Sequence, residues 1–255
     1  MHRRRFLAGA AVAGAAGLAG CGTASGAPRP PSLPDERLDD GGWERTTETE
    51  QALFSETVAG AEVSATAVTR VYDDAALRAT VSERTLGAVD APLATFFASR
   101  VTFRPNIAEV PLESAREQLA ARAAEAARAE FEAQLRAAGL SDVTPADGGT
   151  TTVATGESAD RTDYTAAFAF DDLSFPVGER DLTVEGGEVA VAGFLAAWVH
   201  DGGLLIAGGA HPAENFARTV ERDLSDSIAV TVDVDLGLTP EAYAADLNAL
   251  VTNVG

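Results

Sequence analysis

Lysine is missing altogether: all 19 basic residues of this 255-residue chain are arginine. Cysteine occurs once, at Cys21, and histidine three times. A single thiol excludes an internal disulfide and a cysteine cluster for a metal. After residue 20 no apolar run reaches the roughly 20 residues that a helix needs to cross a bilayer. There is no basic patch with interleaved aromatics, the footprint of a nucleic-acid binder. Neither a Gly-x-Ser-x-Gly elbow nor a phosphate-loop or dinucleotide spacing is found. Nothing repeats at a fixed period.

What is present starts with "HRRRFLAGAAVAGAAGLAGCG". Phe6 to Gly20 is apolar but too short to span a bilayer, and Arg3 to Arg5 precede it as a charged region. This is the pattern of an export signal. Arg3-Arg4-x-Phe6-Leu7 resembles the twin-arginine motif, whose pathway carries folded proteins. Leu18-Ala19-Gly20-Cys21 resembles a lipobox, where cleavage before the cysteine leaves its thiol to carry a lipid. The order of these motifs, ending on the sole cysteine, predicts a signal over residues 1–20. A lipidated Cys21 and a Pro/Gly-rich tether follow over 21–41, then a single domain over 42–255. The predicted location is the outer face of the cytoplasmic membrane, with the domain outside and the lipid on Cys21 as its attachment.

Acidic residues number 39, for a net charge of −20. Without Arg3, Arg4 and Arg5, 16 positive charges face those 39 acids, giving −23. Such a surface suits concentrated salt, where carboxylates hold water and cations and keep the protein soluble. A GC-rich genome also removes lysine codons, but it does not explain the twofold acid excess. In molar salt the screening length is about 3 Å, so the charge does not imply a basic partner.

Periodicity predicts an α+β fold, a mostly antiparallel sheet with helices packed on it. Glu62–Tyr72 alternates as a half-buried strand, and Asp73-Asp74 offers an N-cap to a helix reaching Leu86. Thr95–Phe103 reads as a strand stopped by Pro105. Leu112 to Ala138 is the clearest helix, with Leu112, Ala115, Leu119, Ala123, Ala127, Phe131 and Leu135 as its buried stripe and Gly139 ending it. "TPADGGTTTVATGESAD" reads as a loop or hairpin tip. "DYTAAFAFDDLSF", "GEVAVAGFLAAWVH" and "LLIAGGA" read as strands, with a turn at Asp201–Gly203. His211-Pro212 is expected to open a helix carrying Phe216, Val220 and Leu224. "SIAVTVDVDLG" follows as a strand, and Thr239-Pro240 starts the last helix.

"YDDAALRATVSERTLGAVDAPLATFFASRV" and "HPAENFARTVERDLSDSIAVTVDVDLGLTPEAY", with the signal and lipobox, resemble a family of haloarchaeal twin-arginine-exported lipoproteins of unknown function. The resemblance implies a salt-loving archaeal source and a lipid anchor, and no catalytic residues. "FLAAWVHDGGLLIAGGAHPAENFARTVERDL" bears a fainter likeness to the strand–turn–strand–helix ending of PsbP/Mog1-like domains. Those domains mostly bind or help assemble partners, and the likeness is one of fold alone.

Four local features are candidates for chemistry. Two histidines, His200 and His211, survive in the mature chain, too few to hold zinc without carboxylates; a capping or surface place is expected for each. Asp233 and Asp235 alternate along one strand and share a face, where they clamp a cation, act as an acid–base pair or are simply solvated. "GGAHPAEN" is the best binding candidate. Gly208 and Gly209 let a ligand near the backbone, and a helix opening at His211 presents free N–H groups to an anion; a plain strand-to-helix corner explains it equally. No cofactor or metal is expected. The reading is a lipid-anchored, non-enzymatic binding or assembly module with an unknown protein or small-molecule partner and no nucleic acid. The alternative is a surface hydrolase with an unrecognised site.

Overall fold

The computed structural model describes residues 28–58, 60–177, 180–225 and 228–255. Arg3, Arg4 and Cys21 lie outside them. The alternating segment at 62–72 forms the centre of β2 (Ala61–Asp74), which pairs antiparallel with β1 (Trp43–Val58) and β3 (Thr95–Arg104). Two long strands, β8 (Gly187–His200) and β9 (Gly203–Pro212), meet in a hairpin at Asp201-Gly202. Both turn residues have positive φ, as a two-residue hairpin requires. With β4 (Leu140–Thr152) and β5 (Ser158–Phe170) these make one antiparallel sheet of seven strands in the order β1-β2-β3-β9-β8-β5-β4. Two hairpins stand outside it, β6 (Leu173–Val177) with β7 (Arg180–Val184), and β10 (Ala217–Ser225) with β11 (Ile228–Asp235). The expected class, α+β in a single domain with an antiparallel sheet, is the observed one.

Both faces of the sheet are covered. On one lies the long helix α3 (Glu113–Ala137), whose Ala115, Leu119, Ala123, Phe131 and Leu135 are buried with Val101, Tyr164, Leu195 and Ile206 of the sheet. On the other lie α1 (Asp35–Asp40), α2 (Ala75–Arg84) and α4 (Pro240–Thr252), together with the two hairpins. Strand β9 is therefore buried along its whole length, and "LLIAGGA" reads as an unbroken apolar run because neither face meets water. Helix α2 is capped by Asp74, whose carboxylate accepts from the Leu77 N–H at 2.8 Å. Gly139, at φ 88°, ends α3 as expected.

Several expectations are corrected. No helix follows His211-Pro212: Pro212 ends β9, and the residues after Phe216 form β10, paired to β11 with Val220 opposite Val232. The four-residue spacing of Phe216, Val220 and Leu224 matches a helix, but "VTVDVD" needs a neighbouring ladder for its backbone, and β10 supplies it. The strand–turn–strand–helix ending on which the PsbP/Mog1 likeness rested is thus not formed. The glycine-rich "TPADGGTTTVATGESAD" is mostly two paired strands, with a register shift at Asp147/Thr150 and a turn only near 153–157. Leu112 caps α3 from outside the stripe and is 55% exposed. The packed domain also begins before Trp43. Leu38 of α1 is buried, and Ser32 and Gly255 exchange two backbone hydrogen bonds of 2.6 and 3.0 Å. Residues 32–41 are therefore part of the domain and not of a tether.

Candidate functional site

The candidates from the sequence do not meet. His211 is 7% exposed in the central strand β9, neither a surface nor a capping residue, and its Nδ1–H donates to the Pro212 carbonyl at 2.9 Å. Asp233 accepts from the Thr219 hydroxyl at 2.6 Å across the β10–β11 hairpin. Asp235 accepts from the Asn215 amide at 2.8 Å and from the Gly237 N–H at 2.7 Å. The Asn215 bond first, then the Gly237 N–H, hold its carboxyl below the usual range. Asn215 also accepts from the Leu238 N–H, and Glu214 from the Ala190 N–H. The end of "GGAHPAEN" therefore ties a hairpin to the sheet, and with no helix opening there the anion reading falls. His200 sits at the far end of β8, its Nδ1 2.9 Å from Glu157 and its Nε2 3.6 Å from Asp201. No serine, threonine or cysteine nucleophile among the described residues is shown against His200; its ring meets the two carboxylates of Glu157 and Asp201. Among the described residues no group of three or more His, Cys, Asp or Glu side chains is arranged to hold a metal.

Gly208 and Gly209 have a packing cause. A Cβ on Gly209 collides with the Thr95 carbonyl of β3 and lies 2.9 Å from Leu247 Cδ1 of α4. A Cβ on Gly208 collides with the Phe194 carbonyl and lies 2.9 Å from Leu195 Cα. The close approach is to neighbouring strands and to a helix of the same domain. No ligand is needed to explain these glycines.

Burial pushes the His211 pKa down, against the Pro212 hydrogen bond, and the Arg161 charge adds a little. Folding therefore favours the neutral ring relative to the unfolded chain, which titrates near pH 6.5. Its contribution is complete above about pH 6.5 and is lost as the pH falls. Asp73 and Asp74, both raised chiefly by burial, act with the opposite sign, from the usual carboxylate range up to their raised values. The thermal midpoint at constant salt is expected to fall from about pH 7.5 to about pH 5.5, and His211→Gln to flatten that slope. A His211→Gln profile as steep as wild type would show that another group controls it.

A groove lies elsewhere, between α3 and the β1–β3 side of the sheet. It has a volume of about 240 Å³ and a mostly apolar lining that includes Leu53, Phe97, Val101, Phe131 and Ile206. On the helix side Ala123, Ala126 and Ala127 leave room that larger residues would fill. Phe131 packs tilted against Phe97 at 5.3 Å and meets Tyr164 edge-on at 5.2 Å. Thr69 and Ser99, directly paired across β2 and β3, also line it, and the Thr69 hydroxyl donates to Ser99 at 2.9 Å. Ser99 is only 5% exposed, and a serine hydroxyl that accepts one bond can also donate one. Gln51, Gln134 and Glu130 add polar groups, and no arginine lines the groove. An apolar hollow with a few convergent polar groups is the usual form of a small-molecule site.

The chain belongs to the DUF6517 family. That family is a domain of unknown function, matched here over residues 30–255. No curated protein and no solved structure matches the chain. The DUF6517 boundary at residue 30 lies just before the Ser32–Gly255 clasp. Sequence reasoning did not find the groove of this DUF6517 domain. Its residues are spread over β1, β2, β3, β9 and α3, and each taken alone looks like ordinary core or ordinary surface. The one local signal was the run of alanines in α3, where larger apolar residues would have closed the gap.

Proposed function

We propose that this is a non-enzymatic binding module, held at the outer face of the membrane by a lipid on Cys21 and adapted to high salt, with the α3/β1–β3 groove as its binding site. The groove carries the reading: its lining is mostly apolar around a half-buried hydroxyl pair, whereas the histidines and aspartates that a hydrolase would use are engaged in separate structural bonds. An uncharged, partly apolar ligand fits this lining. A charge placed against Phe97, Val101 and Ile206 loses its hydration, and no arginine is there to pair an anion. The excess of acids over arginines supports a halophilic surface, and the order of motifs at residues 3–21 supports export and lipidation.

The test is binding of the neutral dye Nile red to the full chain in molar salt, with and without Ala126→Trp. Ala126 is exposed on α3 and lines the groove, so tryptophan there fills the hollow without disturbing the core. Dye emission is expected to rise on binding to wild type and to fall at least about tenfold in the variant, with decanol competing better than decanoate. Equal binding by wild type and variant would place the site elsewhere and end the reading.

A further inference from the structure

Contacts trace one end of the domain. Ser32 and Gly255 exchange backbone hydrogen bonds, and Ala154 in the β4–β5 turn donates to the Thr252 carbonyl at 2.7 Å. Glu157, at the close of that turn, meets His200 at 2.9 Å, the last residue of β8. In the β8–β9 turn, Gly202 lies so near Asn106 that a Cβ there would overlap the asparagine amide. Asn106 caps the short turn Ile107–Glu109 that leads to Leu112 and the head of α3. Ile107, Ala108, Arg116, Val199 and Gly202 line one shallow hollow. Three large apolar side chains are exposed among the described residues, and two of them, Leu112 at 55% and Val199 at 47%, belong to this end. The third, Leu86, lies in the turn after α2.

We infer that this end faces the bilayer and that Leu112 and Val199 enter its head-group region. The inference rests on the lipid anchor proposed above and adds a second contact to it. Because Ser32 is fixed in the domain, only the chain from Cys21 to Ser32 separates lipid from fold, and fully extended it reaches at most about 40 Å. The tether therefore leaves from the end that holds Ser32, and that end can lie against the membrane without the chain having to cross the domain. One lipid chain binds marginally, and two exposed aliphatic side chains add apolar contact to it. Arg116 lines the same hollow and offers a guanidinium to a phosphate head group, beside Glu113 and Glu117, which also line it. Glu109, Glu113, Glu117 and Asp201 also stand at this end, so contact with an acidic bilayer requires salt. At molar salt, screening over about 3 Å leaves the apolar contact to decide.

The experiment uses the lipidated full chain on vesicles of phosphatidylcholine and phosphatidylglycerol in molar salt, with a spin label near the head of the acyl chains. A cysteine is introduced at Leu112, at Val199, or at the exposed Glu241 in the first turn of α4, and is labelled with a polarity-sensitive dye. Cys21 carries the lipid, so the new thiol is the only one. Vesicle lipid is expected to quench the labels at Leu112→Cys and Val199→Cys at least about twofold more than the label at Glu241→Cys. Leu112→Ser with Val199→Ser, both on exposed positions, is expected to lower vesicle binding roughly tenfold at limiting lipid. If the protein sediments with vesicles but all three labels are quenched alike, the docking surface is wrong and the anchor stands. If the wild type does not sediment, the anchor reading fails and the docking surface with it.

Discussion

Leu119→Asp is expected to abolish cooperative folding of the domain. Leu119 is 1% exposed, in the middle of the α3 stripe, within the cluster that includes Phe103, Leu195 and Leu204. Truncating a buried leucine alone costs about 2–5 kcal/mol. An unpaired carboxylate in the same place adds several more, against a total stability of about 5–15 kcal/mol. Glu125→Gln, on the exposed side of the same helix, is expected to stay within about 0.5 kcal/mol of wild type. Circular dichroism through a denaturant titration in molar salt measures both. A folded, wild-type-like Leu119→Asp protein would mean that α3 does not bury this stripe.

Gly209→Val is expected to be the next most damaging single change, although valine favours strands in general. The new Cβ collides with the Thr95 carbonyl and presses on Leu247, so β9 has to leave β3 or α4 has to lift from the sheet. Overpacking in a core costs about 1–3 kcal/mol when only side chains give way, and here one obstacle is backbone. A loss above about 3 kcal/mol is therefore the expected result, with an unchanged denaturant slope if both states keep their compactness. A neutral Gly209→Val would return the glycine pair to consideration as a ligand site.

Gly208-Gly209 also marks where sequence reading reached its limit. From local chemistry alone, two glycines before His-Pro offer a backbone to a ligand. The reason they are glycine lies in β3 and α4, far away in the chain. Strands with one face more deeply buried than the other, such as β2, and helices with a strong stripe, such as α3, were legible because burial repeats at the period of the backbone. Strand β1 was not: Glu44 to Ala52 are exposed, so this edge strand carries no apolar alternation to read. The β10 segment was misread because three apolar residues at four-residue spacing satisfy a helix while a partner strand decides otherwise. Leu112 fits the helical spacing of the α3 stripe, yet it is the capping residue, and its side chain leaves the stripe at the helix entrance. The groove was invisible for the same reason as the glycine packing: it is a property of five elements together.

The strand order has a kinetic side. Thr95 pairs with Ala210 and Val101 with Leu204, so β3 bonds to a strand more than a hundred residues later. β1, β2 and β3 can join as they emerge, but the open edge of β3 waits for β9, and the sheet closes only when nearly the whole domain has been made. Non-local pairing of this kind slows folding, because the entropy of closing a long loop is lost before the contacts form. Until then the β3 edge is open to wrong partners. A route that moves the chain only after it has folded, as the proposed twin-arginine signal would provide, lets that late closure take place where the chain is synthesised and not at the crowded membrane exterior.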